Sequence, residues 1–231
     1  DAYQKSIAYT REKARFGMIA AWVEVPIFWG LLLSGFYGKL DAVVRSLGFG
    51  PVVTGLLYLA SVSVVFFLIS LPFSLYSTFV IEKKHGFNRM TLQLWLVDLL
   101  KSILLSILIG GLILAAVLWF MDRHLQGWWW LYVWILLSLV QIFIAAIFPV
   151  FLLPLFNKLT PLEDGDLKQH ILALAQKIKF RLSGIYTMDG SKRSTHSNAF
   201  FAGLGKLRRI VLFDTLVKSL TESELLAVLA H

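Results

Sequence analysis

Residues 52–81 read VVTGLLYLASVSVVFFLISLPFSLYSTFVI, 30 residues without one charged side chain. A hydrocarbon core of about 30 Å is crossed by roughly 20 helical residues rising about 1.5 Å each, so this stretch exceeds one straight crossing. Pro72 is expected to kink the helix or to end its membrane-spanning part, leaving 73–81 as a continuation near the interface. Working outward, three further stretches share this character. The first is 16–36, interrupted only by Glu24. The second is 102–120, preceded by Asp98 and Lys101 at a spacing that lets them pair on one helix face. The third is 128–153, which opens on Trp128, Trp129 and Trp130, the aromatic belt of a membrane–water boundary. The expected count is four spans.

Composition points the same way. Hydrophobic residues make up 58% of the 231-residue chain and charged residues 16%, whereas a soluble domain carries about 25% charge. A wholly water-soluble or disordered chain is excluded. With no Cys there is no disulfide scaffold, no Cys-type zinc site and no thiol catalysis. The 22 Lys and Arg exceed the 14 Asp and Glu, a formal charge of +8. That excess belongs to basic loops beside membrane spans; the run from Arg208 to Leu212 has no interleaved aromatic platform for nucleic acid, and no nucleic-acid partner is expected. Lys5, Arg11, Lys13 and Arg15 precede the first span, Lys83, Lys84 and Arg89 follow the second, and Lys158 and Lys168 follow the fourth. The other side has only Lys39, Arg45 and Arg123. The positive-inside rule therefore predicts that the basic loops, and everything after Leu155, face the cytoplasm. No cleavable signal pattern opens the chain. It lacks an initiator Met and stops inside a helical pattern, as expected of a piece of a longer protein.

From Pro154 the texture changes, which divides the chain into a transmembrane helical region over 1–154 and a smaller portion over 155–231. Residues 157–165 form a polar connection. Leu167, Ile171, Leu174, Ala175 and Ile178 give 166–180 helical periodicity. Short strands are expected at 184–188 and 198–201, with a polar loop at 191–197 and a turn at 203–206. RIVLFDTLV (209–217) reads as a third strand or a strand-to-helix passage. Thr221 and Glu224 form a capping box ahead of Leu225, Leu226, Val228 and Leu229. The fold class is mainly α: a multi-span helical membrane bundle with a small cytoplasmic α+β portion.

Three long runs carry a resemblance: LPFSLYSTFVIEKKHGFNRMT (71–91), LPLFNKLTPLEDGDLK (153–168) and SKRSTHSNAFFAG with RRIVLFDTLV (191–217). Together, in this order, they resemble the type I CAAX prenyl protease family, multi-span zinc metalloproteases of the gluzincin kind. TESELLAVLAH (221–231) is similar to that family's active-site helix, which ends in H-E-x-x-H. The resemblance implies a zinc endopeptidase that cuts near the C-terminus of a prenylated CaaX protein, or a quality-control protease acting on membrane proteins, in a bacterial inner membrane or the endoplasmic reticulum. It also implies a span before Asp1, and further spans and a glutamate ligand after His231. A non-enzymatic scaffold or transporter is the rival class.

In H-E-x-x-H the two His lie at i and i+4 and bind one zinc, and the Glu activates the metal-bound water. Only the first letter is present, so the resemblance makes His231 the expected metal ligand. It places the catalytic Glu beyond this sequence, and 1–231 alone is expected to be inactive. On pattern alone, HSNAFF (196–201) is an amphipathic edge strand with aromatic packing. The resemblance implies that Asn198 and Ala199, with Phe200 and His196 beside them, bind substrate by strand addition, which reads backbone rather than side chains. Lys192, Arg193 and His196 either attract a C-terminal carboxylate or form a solvated loop. Glu24 either lines an enclosed chamber or sits near a span end. His85, His124 and His170 show no ligand spacing and read as loop or surface residues, while Gly203 and Gly205 read as turn residues. The expected partners are a peptide or prenylated protein and the lipid bilayer.

Overall fold

The computed structural model describes residues 2–124 and 127–230. Among them four helices are long and apolar enough to cross a membrane: Tyr3–Leu33, Pro51–Glu82, Leu92–His124 and Trp129–Phe156. The expected four spans are therefore present, each longer than its purely apolar stretch. Helix α1 (Ala2–Leu33) starts well ahead of residue 16, and a short helix α2 (Phe36–Arg45) follows it. Helix α3 (Pro51–Tyr76) runs through Pro72 and continues as a π-helical turn over Ser77–Glu82. Pro72 does not end the helix. In an apolar medium no water satisfies backbone groups released by stopping, so continuing costs less than breaking. A second π-helical turn, Ser106–Gly110, joins α4 (Leu92–Leu105) to α5 (Gly111–His124). A third, Phe148–Leu152, joins α6 (Trp129–Ile147) to the short α7 (Leu153–Phe156).

The chain divides into two compact units, one of Asp1–Asn88 with Leu99–Trp134, the other of Arg89–Asp98 with Ile135–His231. In the first unit α3 packs on α5, and a Cβ at Gly55 would come within 2.9 Å of Leu118 Cδ1. The small residue permits a close helix approach where water provides no driving force. Polar residues fasten the first turns of α1 to the end of the second span. Glu12 accepts hydrogen bonds from Lys84 Nζ at 2.9 and 3.0 Å and lies 2.7 Å from His85 Nε2. Lys13 Nζ donates to Glu82 Oε1 at 2.9 Å and to the Tyr9 hydroxyl at 2.8 Å. His85, expected as a plain loop residue, is thus part of an ion cluster. Glu24 is half-buried beside a cavity of about 780 Å³ that Phe28, Trp29, Ser63 and Ser70 also line.

The second unit holds a four-stranded sheet of β1 (Leu159–Pro161), β2 (Gly184–Met188), β3 (Ala199–Ala202) and β4 (Arg209–Phe213), in the order β1-β2-β4-β3. Only β2 and β4 are parallel. Strand β4 lies inside the sheet, and Ile210, Val211 and Leu212 are almost fully buried. Their alternation divides the core: Ile210 and Leu212 pack with Ile185, with Ile171 of α8 (Asp166–Lys177), and with Leu225 and Leu229 of α10 (Glu222–Ala230). Val211 packs on the opposite face with Leu153 and Met188. Strand β1 lies where a polar connection was expected; three residues are too short for any period to show.

Candidate active site

Strand β3 is an edge strand. Its register pairs Ala199 with Leu212, Phe200 with Val211 and Phe201 with Ile210, and the Phe213 N–H donates to the Asn198 carbonyl at 3.0 Å. That bond makes 198/213 and 200/211 the hydrogen-bonded pairs of the ladder, so the backbone N–H and C=O of Ala199 and Phe201 point away from β4. Among the described residues no strand pairs with that outer side. The Ala199 N–H meets the side chain of the preceding residue instead, donating to Asn198 Oδ1 at 2.9 Å. Asn198 and His196 are exposed. Ala199 packs against the cluster that holds Leu225 and Leu229, which ties the edge strand and α10 to one core. Phe200 turns to the other face, against Leu153, Met188 and Val211, with its ring edge-on to Phe213 at 6.2 Å. Phe201 is 51% exposed.

Alongside β3, within the same unit, lies an apolar cavity of about 620 Å³. One wall is Leu137, Val140, Ile144 and Phe148; the other is Phe200 and Phe201, continuing to Gly203. Gly203 has φ +92°, and a Cβ there would stand 2.2 Å from the Leu207 carbonyl oxygen, so only glycine closes this turn.

The loop ahead of β3 is pinned at both ends. Asp189 accepts from the Lys158 N–H at 2.7 Å and pairs with Lys192 at 2.7 Å. Asp214, at the start of α9 (Asp214–Ser219), accepts from the Ser191 N–H at 2.8 Å, from the Ser191 hydroxyl and from the Thr215 N–H at 2.9 Å. Burial pushes the Asp214 carboxyl up, but these donated bonds outweigh it and hold it below its ordinary value. Thr215 Oγ1 donates to the His196 carbonyl at 3.0 Å. Arg193 departs from the solvated reading. Its side chain is 19% exposed, and its guanidinium makes a two-point pair with Asp98 of α4, Nε–Oδ2 2.9 Å and Nη2–Oδ1 3.1 Å. It also reaches Asn157 Oδ1 at 3.1 Å and the Phe156 carbonyl. Asp98 thus has a partner 95 positions away, besides any spacing it shares with Lys101.

Helix α10 starts as its cap predicts: the Thr221 N–H donates to Glu224 Oε2 at 2.8 Å, and the Leu225 N–H to the Thr221 carbonyl at 2.9 Å. Glu222 on its first turn pairs with His170 Nδ1 of α8, and this carboxylate raises the imidazole above its ordinary pKa. His124 is an aromatic neighbour of Tyr132, at 5.5 Å. His231 lies outside the described residues. Among those described, no three His, Cys, Asp or Glu converge to hold a metal. Sequence reasoning missed Asp98, Arg193 and Asp214 as a supporting frame; Asp214, closing the strand RIVLF, was the one with a local signal.

Residues 1–158 match the family model described as CAAX prenyl protease N-terminal, five membrane helices, and residues 161–231 match that of peptidase family M48. CAAX prenyl protease 1 of Saccharomyces cerevisiae is 42% identical over 246 residues, covering 100% of this chain and 53% of that protein. The Arabidopsis thaliana CAAX prenyl protease 1 homolog is 38% identical over 239 residues, covering 100% and 56%. The crystal structure of S. mikatae Ste24p is similar at a TM-score of 0.91 and 42% identity, over 98% of this chain and 54% of that one. The chain spans about half the length of these relatives.

Proposed function

The chain belongs to the CAAX prenyl protease branch of peptidase family M48 and is an integral membrane protein; from that premise we propose that it is the substrate-docking part of a membrane zinc endopeptidase acting near the C-terminus of prenylated CaaX proteins. The family is one of metallopeptidases, generally using zinc. The described residues offer no donor set for that ion, and His231 is the residue of this chain assigned to it. The cytoplasmic orientation follows from loop charge.

One observation carries the reading: β3 turns the backbone groups of Ala199 and Phe201 away from β4, along a sheet edge that no described strand covers, beside an apolar cavity of about 620 Å³. A peptide added as a further strand receives main-chain hydrogen bonds whatever its side chains, which holds it extended for attack on one carbonyl. Docking exchanges the Asn198–Ala199 bond: the Ala199 N–H turns to a peptide carbonyl, and the Asn198 amide is released to hold another. His196 flanks the same edge. Phe200, partly buried against Leu153, Met188 and Val211, sets the strand's depth and meets the bound substrate at the cavity wall. The wall of Leu137, Val140, Ile144 and Phe148 is suited to an isoprenoid chain, which gains free energy roughly in proportion to the apolar area it hides.

The test compares cleavage of a farnesylated CaaX peptide with its unprenylated twin by purified protein extended through the H-E-x-x-H pattern. A markedly lower KM for the farnesylated peptide is expected. Equal KM values would favour quality-control proteolysis of membrane proteins.

A further inference from the structure

The first span begins where its charges stop. Lys5, Arg11, Lys13 and Arg15 precede residue 16, and no charge follows until Glu24. At about 1.5 Å per residue the apolar part from residue 16 already fills the hydrocarbon, so Arg11 and Arg15 lie at headgroup level. They are four residues apart on one face of α1, both exposed, and among the described residues neither has an ion-pair partner. Both line a cavity of about 520 Å³ between α1 and the end of the second span. Lys84 stands at its rim with its charge already met by Glu12, at 2.9 Å, which leaves the two guanidinium groups as the unmet charge. Glu12 also lines the cavity, its carboxylate engaged by Lys84 and His85; beyond these charged groups the wall is largely apolar, with Phe16 stacked on Tyr76 at 4.8 Å and Ile19 continuing along the span.

We propose that this cavity binds one anionic phospholipid, its phosphate held by Arg11 and Arg15 and its acyl chain lying along Phe16 and Ile19. Guanidinium groups match phosphate oxygens in two-point geometry, and a cationic pocket between spans at the interface fits an acidic headgroup. The cation level and the apolar wall are continuous in this cavity, and a free phosphate would use only the first. The site needs the membrane reading alone and is independent of any peptidase activity.

Native mass spectrometry of the purified protein released from detergent, titrated with phosphatidylserine or phosphatidylcholine, tests it. Phosphatidylserine should be retained and phosphatidylcholine should not. The double variant Arg11→Gln/Arg15→Gln should bind phosphatidylserine roughly 30-fold more weakly, two interfacial cations being removed. Lys39→Gln/Arg123→Gln, equal in charge change, should bind as the parent does, and Arg11→Lys/Arg15→Lys should fall between. Equal retention by the parent and the Arg11→Gln/Arg15→Gln variant, with the thermal midpoint unchanged, would overturn the site. Displacement of the lipid by millimolar inorganic phosphate would overturn the lipid assignment in favour of a plain anion site.

Discussion

Two side chains on either side of one loop, Asn198 and Arg193, do different work. The Asn198 side chain is exposed, and among the described residues its bond is local, Oδ1 accepting from the next N–H. In protein extended through H-E-x-x-H, Asn198→Ala therefore leaves the thermal midpoint unchanged but removes an uncharged contact worth about 0.5–1.5 kcal/mol, a fall of roughly 2- to 12-fold in kcat/KM for a CaaX peptide. An unchanged kcat/KM would leave Asn198 as a strand cap only. Arg193 holds the loop through Asp98, Asn157 and the Phe156 carbonyl. Removing one partner of such a largely buried pair strands the other charge, at a cost of about 3 kcal/mol. Arg193→Ala and Asp98→Ala should each lower the thermal midpoint, and the double variant should cost much less than their sum; strict additivity would deny the pair. The sequence identified Asn198 because a motif contains it. It could not identify the Asp98–Arg193 pair, since no pattern joins positions 95 apart.

At the scale of elements, β2 was legible as a short apolar run, α8 by the 3.6-residue stripe of Ile171 with Leu174 and Ala175, and α10 by its Thr221–Glu224 cap ahead of Leu225 and Leu229. Strand β1 has three residues and no period, whereas the continuation of the chain past Pro72 to residue 81 was readable from its uncharged run and is present as the end of α3 and its π-helical turn. The joint between α8 and α10 is titratable through His170 and Glu222. Since Glu222 raises the folded-state pKa of His170 above its ordinary value, the pair's contribution is complete below that ordinary value and is lost as pH rises through the raised one. Amide exchange in α10, corrected for the intrinsic rate, should accordingly quicken relative to β4 as pH rises above about 6.5. His170→Gln should abolish this pH dependence while leaving the buried contacts of Leu225 and Leu229 in place. Persistence of the same pH profile in that variant would assign it to another group.

For the molecule as a whole, four spans and their loop charges were readable from hydropathy alone, because the bilayer imposes one length on every crossing. The loop charges predict that Lys84 and Gly165 lie on one face of the membrane. The chain has no Cys, so Lys84→Cys and Gly165→Cys can each be labelled from either side without background. Both should react from the cytoplasmic face; labelling from opposite faces would contradict the orientation. The central claim, that β3 receives an extended peptide along its open edge, has a more direct test than turnover. A benzophenone photo-crosslinker in place of Phe201, exposed on that edge, is compared with one in place of Leu172, exposed on α8. Irradiation with a labelled farnesylated CaaX peptide should give an adduct at position 201 that unlabelled peptide competes away, and none at 172. Absence of an adduct at 201, or equal yields at the two positions, would contradict strand addition at β3.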